Sequence, residues 1–99
     1  MTIKDIKEEL KSSSHPVAKP LHHGTNFKVN IMGFKHGMIL KEHTTLVRAK
    51  LTVLEGSVIY KEANRVVELK QYDEVYIPIN VMHAVEAIED SLCILTKGE

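Results

Sequence analysis

From residue 26 onward the chain is a succession of short segments in which polar and apolar residues alternate, each closed by a turn, with no helical spacing between them. "FKVNIMGF" alternates, "GMILKEH" follows a turn at His36–Gly37, and a long strand over 46–54 ends at Glu55–Gly56. "SVIYK" and "RVVEL" form a hairpin around Glu62, Ala63 and Asn64, and "QYD" is a further turn. "EVYIP" is stopped by Pro78, and "INVM" turns into the closing pair "HAVEAI" and "SLCILT". Strands this short, without crossover helices, bury their apolar faces by folding into an antiparallel sandwich or barrel. The fold class is all-β.

Ninety-nine residues make one domain with a single core of modest size. Residues 26–99 are expected to be the barrel, and residues 1–25 an N-terminal helix and arm. Thr2 followed by Asp5 resembles a capping pattern, and Ile3, Ile6 and Leu10 recur near helical spacing, so a short amphipathic helix is expected over 2–11. Such a helix is not stable alone and must dock on the barrel or on a second subunit. "KSSSHPVAKP" reads as a loop or extended arm.

Thirteen basic residues balance thirteen acidic ones, which gives no net field for nucleic acid or an anionic membrane. Three Tyr, two Phe and no Trp leave few stacking platforms for single strands. The one cysteine, Cys93, cannot close an intramolecular disulfide and reads as a small buried thiol in an apolar run. "MTIKDIKEELKSSS" has no apolar leader core, no stretch is long enough to span a bilayer, and the cytoplasm is the expected compartment.

Against this background one histidine stands out. In "LKEHTTLVRAKLTVLEG", residues 40–56, the odd positions His43, Thr45, Val47, Ala49, Leu51 and Val53 are expected to share the buried face, while Arg48, Lys50 and Thr52 face water. His83, Val85 and Ala87 repeat the pattern, so both imidazoles should enter one cavity from its mouth. Neutral imidazole is a good ligand for first-row metals and titrates near physiological pH.

The spacing around these histidines resembles the cupin superfamily, over roughly residues 26–97. The first cupin motif is Gly, five residues, His, one residue, His, three or four residues, Glu, six residues, Gly. Gly37, His43, Thr45, Ala49 and Gly56 fall on those positions. The second motif is Gly, five residues, Pro, one residue, Gly, two residues, His, three residues, Asn, and it lands on Tyr72, Pro78, Asn80, His83 and Ala87. The resemblance implies a small single-domain cupin, a double-stranded β-helix or jelly-roll barrel preceded by a short helix or arm, and implies pairing into a homodimer.

In metal-binding cupins the two first-motif histidines, the Glu and the second-motif His form the metal shell. Carried over, this chain keeps His43 and His83 but has Thr45 for the second His and Ala49 for the Glu. Two histidines fall short of the three protein ligands of catalytic zinc. The third-ligand candidates are His36, His22 and His23, and any metal would be a divalent ion such as zinc, nickel, iron or manganese. Thr45, Val47, Ala49, Leu51 and Val85 are the expected pocket wall, with Met32, Met38 and Met82 as further lining; Tyr60, Tyr72 and Tyr76 read as packing residues. The leading expectation is a protein that binds a small molecule, holds a divalent metal weakly and has no robust catalysis. The alternatives are a metal-dependent dioxygenase-like or isomerase-like enzyme and a ligand-sensing module.

Overall fold

The computed structural model describes residues 1–98. In chain order the elements are α1 (Thr2–Leu10), β1 (Val17–His23), β2 (Phe27–Phe34), β3 (Ile39–His43), β4 (Ala49–Glu55), β5 (Val58–Glu62), β6 (Arg65–Leu69), β7 (Glu74–Ile77), β8 (His83–Ala87) and β9 (Ser91–Gly98). They build two antiparallel sheets, ordered β1-β2-β9-β4-β7 and β3-β8-β5-β6. The sheets enclose the core, in which Phe34, Leu51, Val53, Val58, Tyr60 and Val85 are among the largest buried side chains. Among the described residues no helix is long and apolar enough to cross a membrane.

Alternation decides which face of each strand is inside. On β4, Ala49, Leu51 and Val53 are buried while Lys50, Thr52 and Leu54 are only half so, and β8 repeats this with His83, Val85 and Ala87. The expected long strand across 46–54 is shorter than its pattern. Residues 44–48 form a loop between β3 and β4, which belong to different sheets. Val47, expected to line the interior, lies in that loop and is 44% exposed.

Helix α1 docks on the chain's own sheet. Ile6 is fully buried with Val17, Ile31 and Leu92 on the outer face of the five-stranded sheet, with Leu10 packed at the edge. Close approach depends on Gly33, where a Cβ would stand 2.7 Å from Ile6 Cγ2. The capping pattern read at Thr2 is not used. Met1 is the N-cap without a side-chain cap bond, and its ammonium pairs with Asp5 Oδ2 at 3.1 Å. The segment expected as loop or arm instead yields β1, which pairs with β2 at the sheet edge, where Pro20 and its register shift are tolerated.

The four motif positions that hold glycine in cupins all have left-handed backbone here. Gly37 and Gly56 have φ of 84° and 83°, and Tyr72 and Asn80, which stand where glycine is expected, have φ of 72° and 61°. The turns are kept although two of the glycines are not. Asn tolerates this region, whereas Tyr pays a steric penalty between Cβ and the following carbonyl. Tyr72 is 74% exposed, and its N–H donates to the Val53 carbonyl at 2.7 Å, a bond any residue can make. Tyr72→Gly should therefore stabilise the fold by about 1 kcal/mol, since about 1–2 kcal/mol of strain exceeds the roughly 0.5–1 kcal/mol of added chain entropy. The urea midpoint should rise at unchanged m-value; a fall would mean that the phenol ring contributes packing.

Candidate functional site

β3 and β8 pair so that His43 lies directly across from His83. Their ring centroids are 4.1 Å apart with planes inclined by 58°. Each ring is fixed in the same way, His43 Nδ1 at 2.9 Å from the Lys41 carbonyl and His83 Nδ1 at 3.0 Å from the Val81 carbonyl. A carbonyl only accepts, so in both rings Nδ1 carries the proton and, in the neutral form, Nε2 keeps the bare lone pair. The sequence thus places two like imidazoles side by side with the same edge available for a donor or a metal.

His83 is 3% exposed, and Tyr60 stacks on it with centroids 5.9 Å apart. Burial is the main cause holding the His83 pKa below its ordinary value. His43 and Lys97 push the same way, against the Val81 carbonyl and Glu62. Glu62 faces His83 across the β5–β8 ladder. Its Oε2 accepts from the Tyr60 hydroxyl and from Arg65 Nη2, the latter at 2.6 Å. The guanidinium of Arg65 also lies 5.4 Å over the Tyr60 ring and donates to the Tyr76 carbonyl at 3.0 Å. The Arg65 bond is the largest influence holding the Glu62 carboxyl below its usual range, and burial raises Tyr60 above its own.

The burial of His83 has a consequence for stability against pH. Its folded pKa is depressed, so below about pH 6.5 the unfolded chain takes up the proton first. The stability it contributes is present above pH 6.5 and is lost as pH falls toward the folded value. Between pH 7 and 5.5 the urea midpoint should drop, with a slope from this group of up to about 1.4 kcal/mol per pH unit. The slope should shrink in His83→Gln; an unchanged slope would place its origin elsewhere. Glu62 titrates in a separate, lower window, because its depressed carboxyl loses its contribution only below about pH 4.5.

Two open grooves adjoin these side chains. One of about 1130 Å³ is lined by Ala49, Glu62, Arg65, Ile77, Pro78 and Ile79 among others. A second, of about 700 Å³, is lined by Phe27, Lys28, Val47, Arg48, Ile79 and Lys97 among others. Neither histidine lines either of these two grooves. His83 meets them through Glu62 and Lys97, whose charges act on it.

The other expected site residues are distributed as follows. Leu51 and Val85 are buried in the core between the sheets, and Ala49 is buried at the start of β4. Thr45 is buried, but its hydroxyl donates to the Val47 carbonyl at 2.9 Å and so braces the 44–48 loop. Val47 is exposed and belongs to the rim. His36 lies in the β2–β3 turn beside Asp90, at the Ala87 end of β8 rather than the His83 end. His22, on the edge strand β1 next to His23, sets its ring 5.6 Å from that of Phe27 at a tilt of 47°. Met32 is in the core and Met38 packs against it, but Met82 is 50% exposed. Tyr60 packs inside as expected, whereas Tyr72 and Tyr76 face solvent. Cys93 is fully buried, and burial pushes its thiol up to about 12, which leaves it unreactive.

The resemblance to metal-binding cupins implies a metal shell, and the donor set here can be tested against one. Among the described residues no group of three or more His, Cys, Asp or Glu is placed to hold a metal. Thr45 is turned to its own loop, Ala49 offers no donor, and Glu62 is engaged by Arg65 and Tyr60. These residues do not fit a tight divalent-metal site.

No family model matches the chain, and no curated protein matches it. Solved structures do. An RmlC-like cupin protein from Desulfovibrio desulfuricans aligns with a TM-score of 0.78 at 25% identity, over 85% of this chain and 82% of that one. A cupin 2 conserved barrel domain protein from Leptotrichia buccalis aligns with a TM-score of 0.80 at 28% identity, over 89% of this chain and 43% of its own length. The chain belongs to the cupin superfamily. A protein of unknown function from Rhizobium leguminosarum shares the fold over 99% of this chain and 93% of that one, with a TM-score of 0.83 at 19% identity. As a cupin, this chain departs from the family at its ligand positions and keeps the two-sheet barrel.

Reading the sequence missed Tyr60–Glu62–Arg65, Asn30 and Lys97. The signal was present in the parity of the strands. Glu62 follows Val58 and Tyr60, Asn30 precedes Met32 and Phe34, and Lys97 follows Cys93 and Leu95, each a polar residue continuing a buried row.

Proposed function

We propose that this cupin binds a small organic molecule at the mouth of its barrel, holds a divalent ion only weakly, and has no robust catalysis of its own. The observation that carries the reading is the pair of imidazoles with Nδ1 tied to backbone carbonyls. It leaves the Nε2 atoms of two neighbouring rings without a hydrogen bond to any described residue, next to the buried Val85 and Tyr60. Ligand sites combine apolar walls with a few convergent polar groups in this way. Backbone carbonyls orient both rings, and at His83 burial outweighs the opposing Glu62 charge and holds its basicity down, which suits hydrogen bonding more than proton abstraction.

A fragment library screened by NMR tests the reading, with the imidazole resonances of His43 and His83 as reporters. Hits should shift both sets of signals, and their affinity should fall by about tenfold or more in His83→Ala, as expected for loss of a hydrogen bond in a dry site. Hits confined to the surface away from both rings would refute it. We also propose that the protein pairs into a homodimer, because β1 leaves a sheet edge uncovered with Leu21 exposed beside it. Light scattering at high micromolar concentration should give twice the 11.2 kDa chain mass.

A further inference from the structure

The inner face of the five-stranded sheet ends in polar groups that no described residue satisfies. Lys97 lies between Lys28 and Ala49 in register, on the same face as the buried Cys93 and Leu95. It is half-buried, and among the described residues its ammonium makes no hydrogen bond or ion pair. A carboxylate directly across a ladder would pair with it. The position in register is Ala49, where the resemblance to metal-binding cupins puts a glutamate, so among the described residues no carboxylate stands opposite the positive charge. One row lower, Asn30 pairs with Leu95, and its Oδ1 is buried without a partner. A buried acceptor lacking a donor is costly enough to call for one. Lys28 adds a second positive charge on the rim, while the charge of Arg65 is balanced by Glu62.

We propose that the pocket takes a small hydroxy-carboxylate, its carboxylate held by the Lys97 ammonium and its hydroxyl donated to Asn30 Oδ1. The imidazole Nε2 lone pairs of His43 and His83 accept from any further hydroxyl. The inference rests on the small-molecule reading above and names the class of ligand. It also gives a physical reason for the lost metal ligand. An ammonium on the chain supplies the positive charge that an ion would bring, and a second cation beside it is repelled.

The test uses the full chain and matched probes at constant ionic strength: lactate and malate, their deoxy counterparts propionate and succinate, and the neutral propane-1,2-diol. Binding is read by calorimetry and by imidazole resonances. The hydroxy acids should bind, the deoxy acids about fivefold more weakly, and the diol more weakly still. Lys97→Met should lose at least about tenfold in affinity for the acids, and Asn30→Leu should abolish the preference for the hydroxyl. Lys97→Gln serves if the methionine variant does not fold, and exposed Lys61→Met should leave affinity unchanged. Acids that bind no better than the diol, or equally well to Lys97→Met, would overturn the proposal and leave the pocket reading intact. If no probe shifts the imidazoles while library fragments do, the proposal likewise fails alone. If fragments also fail, the small-molecule reading falls with it.

Discussion

Gly56→Ala should lower folding stability by about 3 kcal/mol or more, a large part of the roughly 5–15 kcal/mol that holds a domain of this kind together. Two causes act at one point. The residue sits at φ 83°, where an L side chain costs about 1–2 kcal/mol. A Cβ there would also collide with the Asp90 carbonyl oxygen and Ser91 Oγ, with Ser91 Cα only 2.9 Å away. Backbone cannot rotate aside as a flexible side-chain end could, and overpacking of this kind costs about 1–3 kcal/mol more. What has to move is the tie between the sheets. Ser91 Oγ accepts from the Ser57 N–H at 3.0 Å and lies 2.7 Å from the Glu89 carbonyl, while the Ile88 N–H donates to the Ser57 carbonyl at 3.0 Å. These bonds join the crossover from β4 to β5 to the turn after β8, the strand that carries His83. Urea denaturation followed by circular dichroism should show a midpoint far below wild type, and the surviving fold should have disordered imidazole signals. A midpoint within about a tenth of wild type would mean that the turn adapts, and that positive φ at the motif positions is not the reason glycine occupies them.

That turn also shows what was legible from the sequence. Most of the strands, their order along the chain and the inward parity of Ala49, Leu51, His83 and Val85 follow from period-two alternation, which tertiary packing preserves wherever one face is buried. Alternation misleads where it continues through a loop. Leu46 and Val47 keep the apolar character of a strand, yet residues 44–48 carry the chain from one sheet to the other, and Leu46 is 80% exposed. Pro16 and Pro20 argued for an arm, but an edge strand needs hydrogen bonds on one side only, so β1 forms around Pro20. At the site, the pairing of the two histidines was legible from motif spacing. The Lys97–Ala49 register was not, because it joins residues far apart in sequence through β9, whose pairing partner no local pattern specifies. Tyr72 and Asn80 looked like departures from the motif, although their backbone keeps the turn that glycine would make.

Zinc, nickel, iron(II) and manganese should bind the wild-type chain about 100- to 10,000-fold more weakly than they bind a complete four-ligand cupin site. Loss of a supporting residue alone costs about 10- to 100-fold in metal affinity, and here two ligands themselves are missing. Thr45 and Ala49 hold those positions, and no other donor completes a set of three among the described residues. Binding must weaken as pH falls, because each ligating imidazole has to be neutral. For His83 the loss is delayed below that of a free imidazole, since burial already holds its proton off. Elemental analysis of protein purified without an affinity tag should find substoichiometric metal that a chelator removes. Near-stoichiometric metal that survives the chelator, and disappears in both His43→Ala and His83→Ala, would overturn the proposed function and favour an enzyme. Restoration supplies the converse measurement. Ala49→Glu alone should gain little, because the new carboxylate falls in register with Lys97 and pairs with it. Ala49→Glu combined with Thr45→His and Lys97→Met removes that competitor and should raise zinc affinity by at least about 100-fold. If Ala49→Glu with Thr45→His reaches the same affinity while Lys97 remains, the lysine charge does not reach the site, and the proposed link between Lys97 and weak metal binding is wrong.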